Sequence, residues 1–588
     1  MSFDGIVLQK ICQELKKTIS GARIFKIYQP QKQQVVFHLH QKGLTHKLLF
    51  SGLAQEARVH LVSETETNPS EPPLFCMVLR KQLMGGRLIS IEQPGLERIL
   101  KINCQVINEL GEPCQRLLIM EIMGRHSNLI LLDPAENRII DALQRIPAAL
   151  SRYRQILPGL TYQDPPPQKK LIPWQVEQAC FYEKLLKQPE QSKLEHALLN
   201  TCAGLSPQSI REIIISSDLK PETTLEYCGE YELSKLWQTL IQLGRGLMNS
   251  TLKSEIILKA SLPLAFSAFP LEASFPGENR KTFTSMSQAL EFYYQRKNAF
   301  VQIRRNKTKL EKIINKEIAH NEKKLGRQLK TLESTQNAEQ DQLWGELLTA
   351  NLHALSGGKK AEVANYYHPK GKIEIIPLNP QLTPAENAQH YFKLYRKKLA
   401  TFKQTKKQLA ETKEELSYLY SLLTSLNNAN QLNEIKEIEE EIRGAGYLKK
   451  GTIKRKETPS RPLELSINGW LIYVGKNNRQ NDLLTMKMAK KEDLWLHPQN
   501  IPGSHVLIKN REGKTIPREI IEKAALLAAY HSQARHSTQV PIDYTERKNV
   551  WKPKGAKPGF VLYEKQKTLY VTPEKEVIKA LLQQENYK

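Results

Sequence analysis

Long apolar runs are missing from this sequence. The most hydrophobic stretches are short or broken by charge, as Lys259 breaks EIILKASLPLAF, and none approaches the ~20 residues that cross a bilayer. The opening MSFDGIVLQKICQEL carries Asp4 and is polar again by Gln9 and Lys10, so it reads as an amphipathic helix and not a secretory signal. A cytoplasmic protein without membrane contact is expected. Cysteine is scarce: there are 7, all in the first half, with no C-x-x-C pair. The odd total and the spacing argue against a disulfide framework or a zinc site, so reduced, mostly buried thiols, no metal and no cofactor are expected. Acid is also short, with 61 Asp and Glu against 86 Lys and Arg, a formal net charge of +25. That excess exceeds what solubility requires and points to polyanionic partners, and nucleic acid, an anionic membrane or an acidic protein all fit it.

A chain of 588 residues is too long for one core, and ~150 residues per domain suggests three or four units. Strand-like runs fill Val35 to Ser63 and Leu88 to Asp133, with a helix between them in PPLFCMVLRKQLMGGRL that stops at Gly85 and Gly86. The segment QDPPPQKKLIPW sustains neither period and marks a linker. An α+β domain is therefore expected over 1–170, and amphipathic helices over 171–262. Within those helices, ALLNTCAGLSPQSIREII offers a helix, a turn at Gly204, a cap at Ser206, Pro207 at the first helical position, and a second helix. This pattern suits a helix-hairpin-helix whose unpaired N–H groups cradle a phosphate, or equally a plain helical turn.

Residues 263–296 lead back to the first domain and into a coil. Apolar positions then recur at coiled-coil spacing, from Ile303 through Leu332 and from Phe392 through Leu426. Two such helices predict an antiparallel hairpin over 297–440, with a small folded tip at about 340–385 that contains a strand-like KIEIIPL, the alternative being a dimerisation zipper. After the basic stretch KRKETPSRP, a compact domain is expected over 445–588, with a hairpin in LELSINGWLIYVG and a helix in KTIPREIIEKAALLAAYHSQAR.

The densest cluster of chemistry-bearing residues is Asp493, Trp495, His497, Gly503, Ser504 and His505 in EDLWLHPQNIPGSHVLIK. Its spacing fits no common zinc pattern, and Ser504 and His505, as neighbours on a strand, would face opposite ways and form no dyad. Catalysis is not expected. Two readings stay open: a surface for base stacking and phosphate contact among Lys490, Lys491 and Lys509, or a buried Trp whose histidines satisfy loop carbonyls. In ERKNVWKPKGAKPG, Lys548, Lys552, Lys554 and Lys557 surround Trp551 with no carboxylate close in sequence to pair them, which suits an RNA-facing loop. In the first domain, Arg98 beside Glu97, and Arg125 beside His126, could contact phosphate bidentately or serve as surface ion-pair residues.

The motifs MSFDG, LRKQLMGGRL, IEQPGLERIL, EIMGRHSNLILLD, LTPAENAQHYFKLYRK and DLWLHPQNIPGSHVLIK occur in this order along nearly the whole chain. Together they resemble the NFACT family. The resemblance implies an α+β multidomain fold: an N-terminal domain similar to formamidopyrimidine-DNA glycosylases but without their chemistry, a helix-hairpin-helix insert, a long antiparallel coiled-coil hairpin and a C-terminal RNA-binding NFACT-R domain. It implies a ribosome quality control factor, not an enzyme, that binds large ribosomal subunits holding peptidyl-tRNA and recruits alanyl-tRNA for untemplated C-terminal alanine tails. Large-subunit RNA and tRNA are the implied partners, and no oligomer is expected. By position, Asp4 and Glu97-Arg98 fall where the family selects tRNA, with Glu97 standing where the family has Asp. Arg125 and His126 are assigned to tRNA as well. The C-terminal RNA contacts would come from Asp493, Trp495, His497, Gly503, Ser504, His505, Lys552 and Lys554. Family members have also been labelled fibronectin-binding, which leaves a surface adhesin as the alternative.

Overall fold

The computed structural model describes residues 3–151, 153–249, 251–259, 262–356, 358–368, 372–449, 460–510 and 513–583. Most of the basic stretch KRKETPSRP lies outside the described residues. The chain forms two compact units, Met1–Ala299 and Phe300–Lys588.

The first unit opens with α1 (Gly5–Ile19), whose buried Ile6, Val7, Leu8, Ile11, Cys12, Leu15 and Ile19 form the inward stripe that helical spacing dictates. Nine antiparallel strands follow: β1 (Arg23–Gln31), β2 (Gln34–Gln41), β3 (Leu44–Ser51), β4 (Arg58–Val62), β5 (Arg87–Glu92), β6 (Ile99–Ile107), β7 (Pro113–Glu121), β8 (Asn128–Asp133) and β9 (Arg138–Ala142), with α2 (Leu74–Leu83) between β4 and β5. Their order is β4-β3-β2-β1-β5-β6-β7-β8-β9. Alternation sends Leu100, Ile102 and Cys104 into the main core with α1 and α2, while Ile99, Ile119 and Ile130 pack on the opposite face with Ile156 and Tyr162. Four helices come next, α3 (Gln178–Leu186), α4 (Leu194–Thr201), α5 (Pro207–Ser216) and α6 (Glu230–Met248), and then a sheet of β10 (Ser254–Lys259), β11 (Leu262–Ser267) and β12 (Asn279–Phe283).

A 49-residue helix, α7 (Met286–Ser334), runs from the first unit into the second. In the second unit α8 (Ala338–Ala350) and the hairpin of β13 (Lys360–Ala364) and β14 (Ile373–Pro377) share a small core of Leu347, Leu348, Val363 and Ile376. The 45-residue α9 (Pro384–Asn428) starts at a capping box, in which Thr383 and Glu386 satisfy each other's backbone N–H groups. It lies beside α7 in the opposite direction: Lys307 reaches the Asn427 carbonyl at 3.0 Å, and Tyr420 donates to Glu322 at 2.7 Å. Leu310, Ile314 and Ile318 interlock there with Leu419, Leu422 and Leu426. Helix α10 (Leu432–Gly444) packs against the same cluster through Ile435, Ile438 and Ile442.

The remaining residues build a six-stranded sheet. Its strands are β15 (Leu463–Ile467), β16 (Trp470–Val474), β17 (Leu494–Pro498), β18 (Val506–Ile508), β19 (Val540–Glu546) and, after the short β20 (Val550–Trp551) and β21 (Leu562–Tyr563), β22 (Lys567–Val571); the order is β15-β16-β18-β17-β19-β22. The β15–β16 turn is Asn468-Gly469, both at positive φ, as a two-residue hairpin demands. A short α11 (Asn478–Asp482) follows β16, α12 (Arg518–Tyr530) lays Ile520, Ala524, Ala525 and Leu527 on the sheet, and α13 (Lys575–Gln583) adds Ile578 and Leu581.

Candidate RNA-binding surfaces

Three segments far apart in sequence meet at the start of α1. The Asp4 carboxylate caps α1 through the Val7 N–H at 3.0 Å, and its other oxygen accepts from the Ser206 N–H at 3.2 Å and the Ser209 hydroxyl at 2.6 Å. The Gly5 N–H donates to the Gly204 carbonyl at 2.9 Å. Leu96 is wedged between the two glycines: a Cβ on Gly5 would lie 2.0 Å from the Leu96 oxygen, and one on Gly204, which has a φ of +73°, would lie 2.5 Å from the Leu96 Cβ. The Gln93 amide donates to the Gly5 carbonyl at 2.9 Å and to the Glu97 carbonyl at 2.8 Å, tying the turn that carries Glu97 and Arg98 to the helix start.

The hairpin forms as its residues require, with Ser206 capping α5 through the Ser209 N–H at 3.2 Å. The anion at this helix start is Asp4, however, so the Ser206 amide that a phosphate would use is already engaged. Asp4 is 5 % exposed, and burial pushes its carboxyl pKa up, opposed by these hydrogen bonds. Its placement is that of an internal tie.

Glu97 and Arg98 are half-buried, and their side chains have no partner among the described residues. Register brings Arg98 to the end of the sheet that carries Arg125 and His126. Ile99 pairs with Glu121, the Ile122 N–H donates to the Arg98 carbonyl at 2.9 Å, and the exposed Gly124–His126 turn follows at once. Arg125 donates to His126 Nε2 at 3.0 Å. Beneath this end, the wholly buried Glu121 is held by Arg154 at 2.7 Å and by the Tyr162 hydroxyl at 2.8 Å, a stiff base for the strand.

The six-stranded sheet encloses the aromatic side chain of the EDLWLHPQNIPGSHVLIK segment. Trp495 is wholly buried: His497 stacks on it at 5.7 Å and 11°, while His505 and Tyr563 close in at 5.2 and 5.0 Å. No face of the Trp495 ring is left to solvent. Burial lowers the His497 pKa to about 4 and holds His505 well below the usual imidazole range, so both are neutral near pH 7. His505 Nδ1 lies 2.7 Å from the Thr485 hydroxyl. Asp493 is also interior. It accepts from the Lys490 N–H at 2.7 Å and the Asn510 N–H at 2.9 Å, and pairs with Lys509 at 2.9 Å. Gly503 is required by packing, since a Cβ would lie 2.9 Å from Pro498, and Ser504 is 7 % exposed.

The lysine loop departs from the expectation of unpaired charge. Lys552 pairs with Asp482, Lys557 with Glu415 and Lys548 with Glu546. Two of those carboxylates lie 70 and 142 residues upstream, which local sequence could not reveal. Lys554 is exposed and has no partner among the described residues, and Trp551 is 45 % exposed. Asp543, likewise distant in sequence, joins the His497 cluster through the fold. It faces His497 across the β17–β19 ladder and accepts from Tyr563 at 2.8 Å and Thr568 at 2.7 Å. Among the described residues no group of three or more His, Cys, Asp or Glu could hold a metal ion, and no helix is long and apolar enough to cross a membrane.

Two family models match in tandem: NFACT N-terminal and middle domains over residues 4–461, and the NFACT protein RNA binding domain over residues 464–565. The chain is therefore an RNA-binding protein. It belongs to the NFACT family. It is 39% identical over 584 residues to the Rqc2 homolog RqcH of Bacillus subtilis (strain 168), covering 98% of this chain and 99% of that one. To the Rqc2 homolog RqcH of Streptococcus suis (strain 05ZYH33) it is 38% identical, covering 99% of this chain and 100% of that one. Among solved structures it is similar to the N-terminal part of the fibronectin/fibrinogen-binding protein from Streptococcus suis, at 32% identity and a TM-score of 0.41, covering 50% of this chain and 99% of that one.

Proposed function

We propose that this chain is a ribosome quality control factor that binds large ribosomal subunits obstructed by peptidyl-tRNA and recruits alanyl-tRNA, so that untemplated alanine tails mark the stalled chain for degradation. Identity of 39% and 38% to the two RqcH chains, over nearly the full length of each, carries the reading. Peptide transfer is left to the ribosome; the chain holds RNA. Arg98, with Glu97, Arg125 and His126 at the same sheet end, forms the tRNA contact, and Asp4 serves it from inside by fixing the turn. Glu97 is longer by one methylene than the Asp the family has, which sets its carboxylate further out. The glycosylase-like architecture of residues 1–170, the helix-hairpin-helix region 171–262, the coiled coil 297–440 and the RNA-binding domain 445–588 are the parts of this reading.

The test is recovery of bound partners with tagged full-length protein. Large subunits and tRNA are expected, released as salt rises; recovery of neither at moderate salt would remove the reading. The adhesin alternative draws on the Streptococcus suis protein's name, and a surface pool with none in the cytoplasm would favour it.

A further inference from the structure

At the β4 edge of the nine-stranded sheet, strands β2–β4, the segment after β4 and the start of α7 line a half-open pocket of about 210 Å³. Its floor is made of side chains that a core would not normally accept. Gln34 is 4 % exposed, Arg58 4 %, His60 1 % and Tyr294 6 %. The Arg58 guanidinium stacks on the Tyr294 ring at 3.9 Å to its centre, gives Nε–H to His60 Nε2 at 3.3 Å, and gives Nη1–H to the Glu56 carbonyl at 2.7 Å. The Glu56 carboxylate lies 3.6 Å from the same Nη1. Arg58 Nη2, the Gln34 amide and the Tyr294 hydroxyl are left without a partner among the described residues, and all three line the cavity. These three groups are not sealed from solvent, so they are open to the polar atoms of a ligand.

The charge around the cavity identifies what fits. His60 contributes none: Nδ1 faces the Leu61 carbonyl at 2.9 Å, Nε2 accepts from Arg58, and burial beside that guanidinium lowers its pKa to about 3. Among the lining residues Arg58 is thus the one cation, with Lys297 nearby, 3.9 Å from the Glu56 carboxylate. The rim is acidic, with exposed Glu64 and Glu66 and, beside them, Glu291, which accepts from the Ser63 N–H at 2.7 Å. A polyanion such as a phosphate is repelled by that rim, although the protein as a whole is strongly basic. A bare cation meets the guanidinium. A ligand with a carboxylate at one end and an ammonium at the other matches both. Size sets the rest: 210 Å³ is below the ~300–1,000 Å³ of sites for drug-sized ligands, so the occupant is small.

We propose that this cavity is a binding site for a free α-amino acid with a small side chain. Its carboxylate docks on Arg58 Nη2 and the Tyr294 hydroxyl, and its ammonium on Glu66 at the rim. The site uses none of the residues assigned above to tRNA, so it stands or falls separately from that assignment.

Calorimetric and ligand-observed NMR titrations of the full-length protein with L-alanine and glycine test it, with acetate, methylamine and inorganic phosphate as single-charge or polyanionic controls. Saturable amino-acid binding is expected, roughly tenfold tighter than for acetate or methylamine, which corresponds to one decade in Kd. Tyr294→Phe and Glu66→Gln should each weaken it several-fold while the thermal midpoint is retained, and if one fails to fold the other decides. Absence of saturable amino-acid binding, phosphate binding tighter than alanine, or alanine binding unchanged in the folded variants would each overturn the assignment.

Discussion

Asp4 and Ser206 stand 202 residues apart in sequence, yet the Asp4 carboxylate accepts the Ser206 backbone N–H at 3.2 Å and so joins the starts of two helices, α1 and α5. One carboxylate complements the positive ends of both helix dipoles and leaves its three donors satisfied in a buried site.

Asp4→Ala removes the cap of α1 and strands the donors of Ser206 and Ser209. A loss of roughly 2–4 kcal/mol in unfolding free energy is expected, from ~1 for the cap and ~1–3 for buried groups left unpaired. Urea unfolding measures it, and Asp4→Asn should recover part of the loss. An unfolding curve indistinguishable from wild type would refute the internal tie.

Arg98→Ala should abolish alanine tailing while large-subunit binding persists, because the side chain has no internal partner whose loss would disturb the fold. Tailing assays alongside subunit co-sedimentation separate the two. If both activities vanish together, Arg98 is a structural residue.

Trp495 and Trp551 should answer alanine substitution in opposite ways. Trp495→Ala opens the core and is expected to cost ~3–5 kcal/mol of stability. Trp551→Ala should leave stability within ~0.5 kcal/mol and weaken RNA binding by ~1–3 kcal/mol where a base stacks on it. Lys554→Ala should reduce the salt dependence of RNA binding by about one phosphate contact without touching stability. Lys552→Ala, by contrast, leaves Asp482 unpaired. Thermal denaturation and filter binding over a salt series give all of these values.

Acidification should loosen the six-stranded sheet. His497 has a folded-state pKa of about 4 against an ordinary 6.5, so the unfolded chain binds the proton more readily. A lowered imidazole pKa gives stability that is present above about 6.5 and is lost as pH falls toward 4. His531, also lowered to about 4, acts in the same direction. Urea midpoints should therefore fall across that window, and His497→Gln should flatten the slope. A midpoint that holds constant between pH 6.5 and 4.5 contradicts neutral, part-buried histidines at these two positions.

Local signals were readable where the physics is local. Asn468-Gly469 specifies its hairpin because both residues tolerate positive φ, and Ser206-Pro207 starts α5 because one caps and the other has no N–H to lose. Charge pairing was readable only in part: Glu546 stands two residues from its partner Lys548, but Lys552 and Lys557 found Asp482 and Glu415 through tertiary contact. Nor could sequence choose between an open and a buried Trp495, since a strand with Leu494 and Leu496 between polar neighbours has two faces that can each be the inner one.

The sequence by itself determined a chain rich in cationic charge, its helical and strand periods, its turns and its membership in a family, because these depend on residue type and spacing along the chain. Only the tertiary structure decided which cations stay free, which aromatic rings keep a face to solvent, and that the anion at the hairpin is Asp4. Those outcomes depend on which distant groups come within hydrogen-bond reach, a quantity that exists only once the chain has folded.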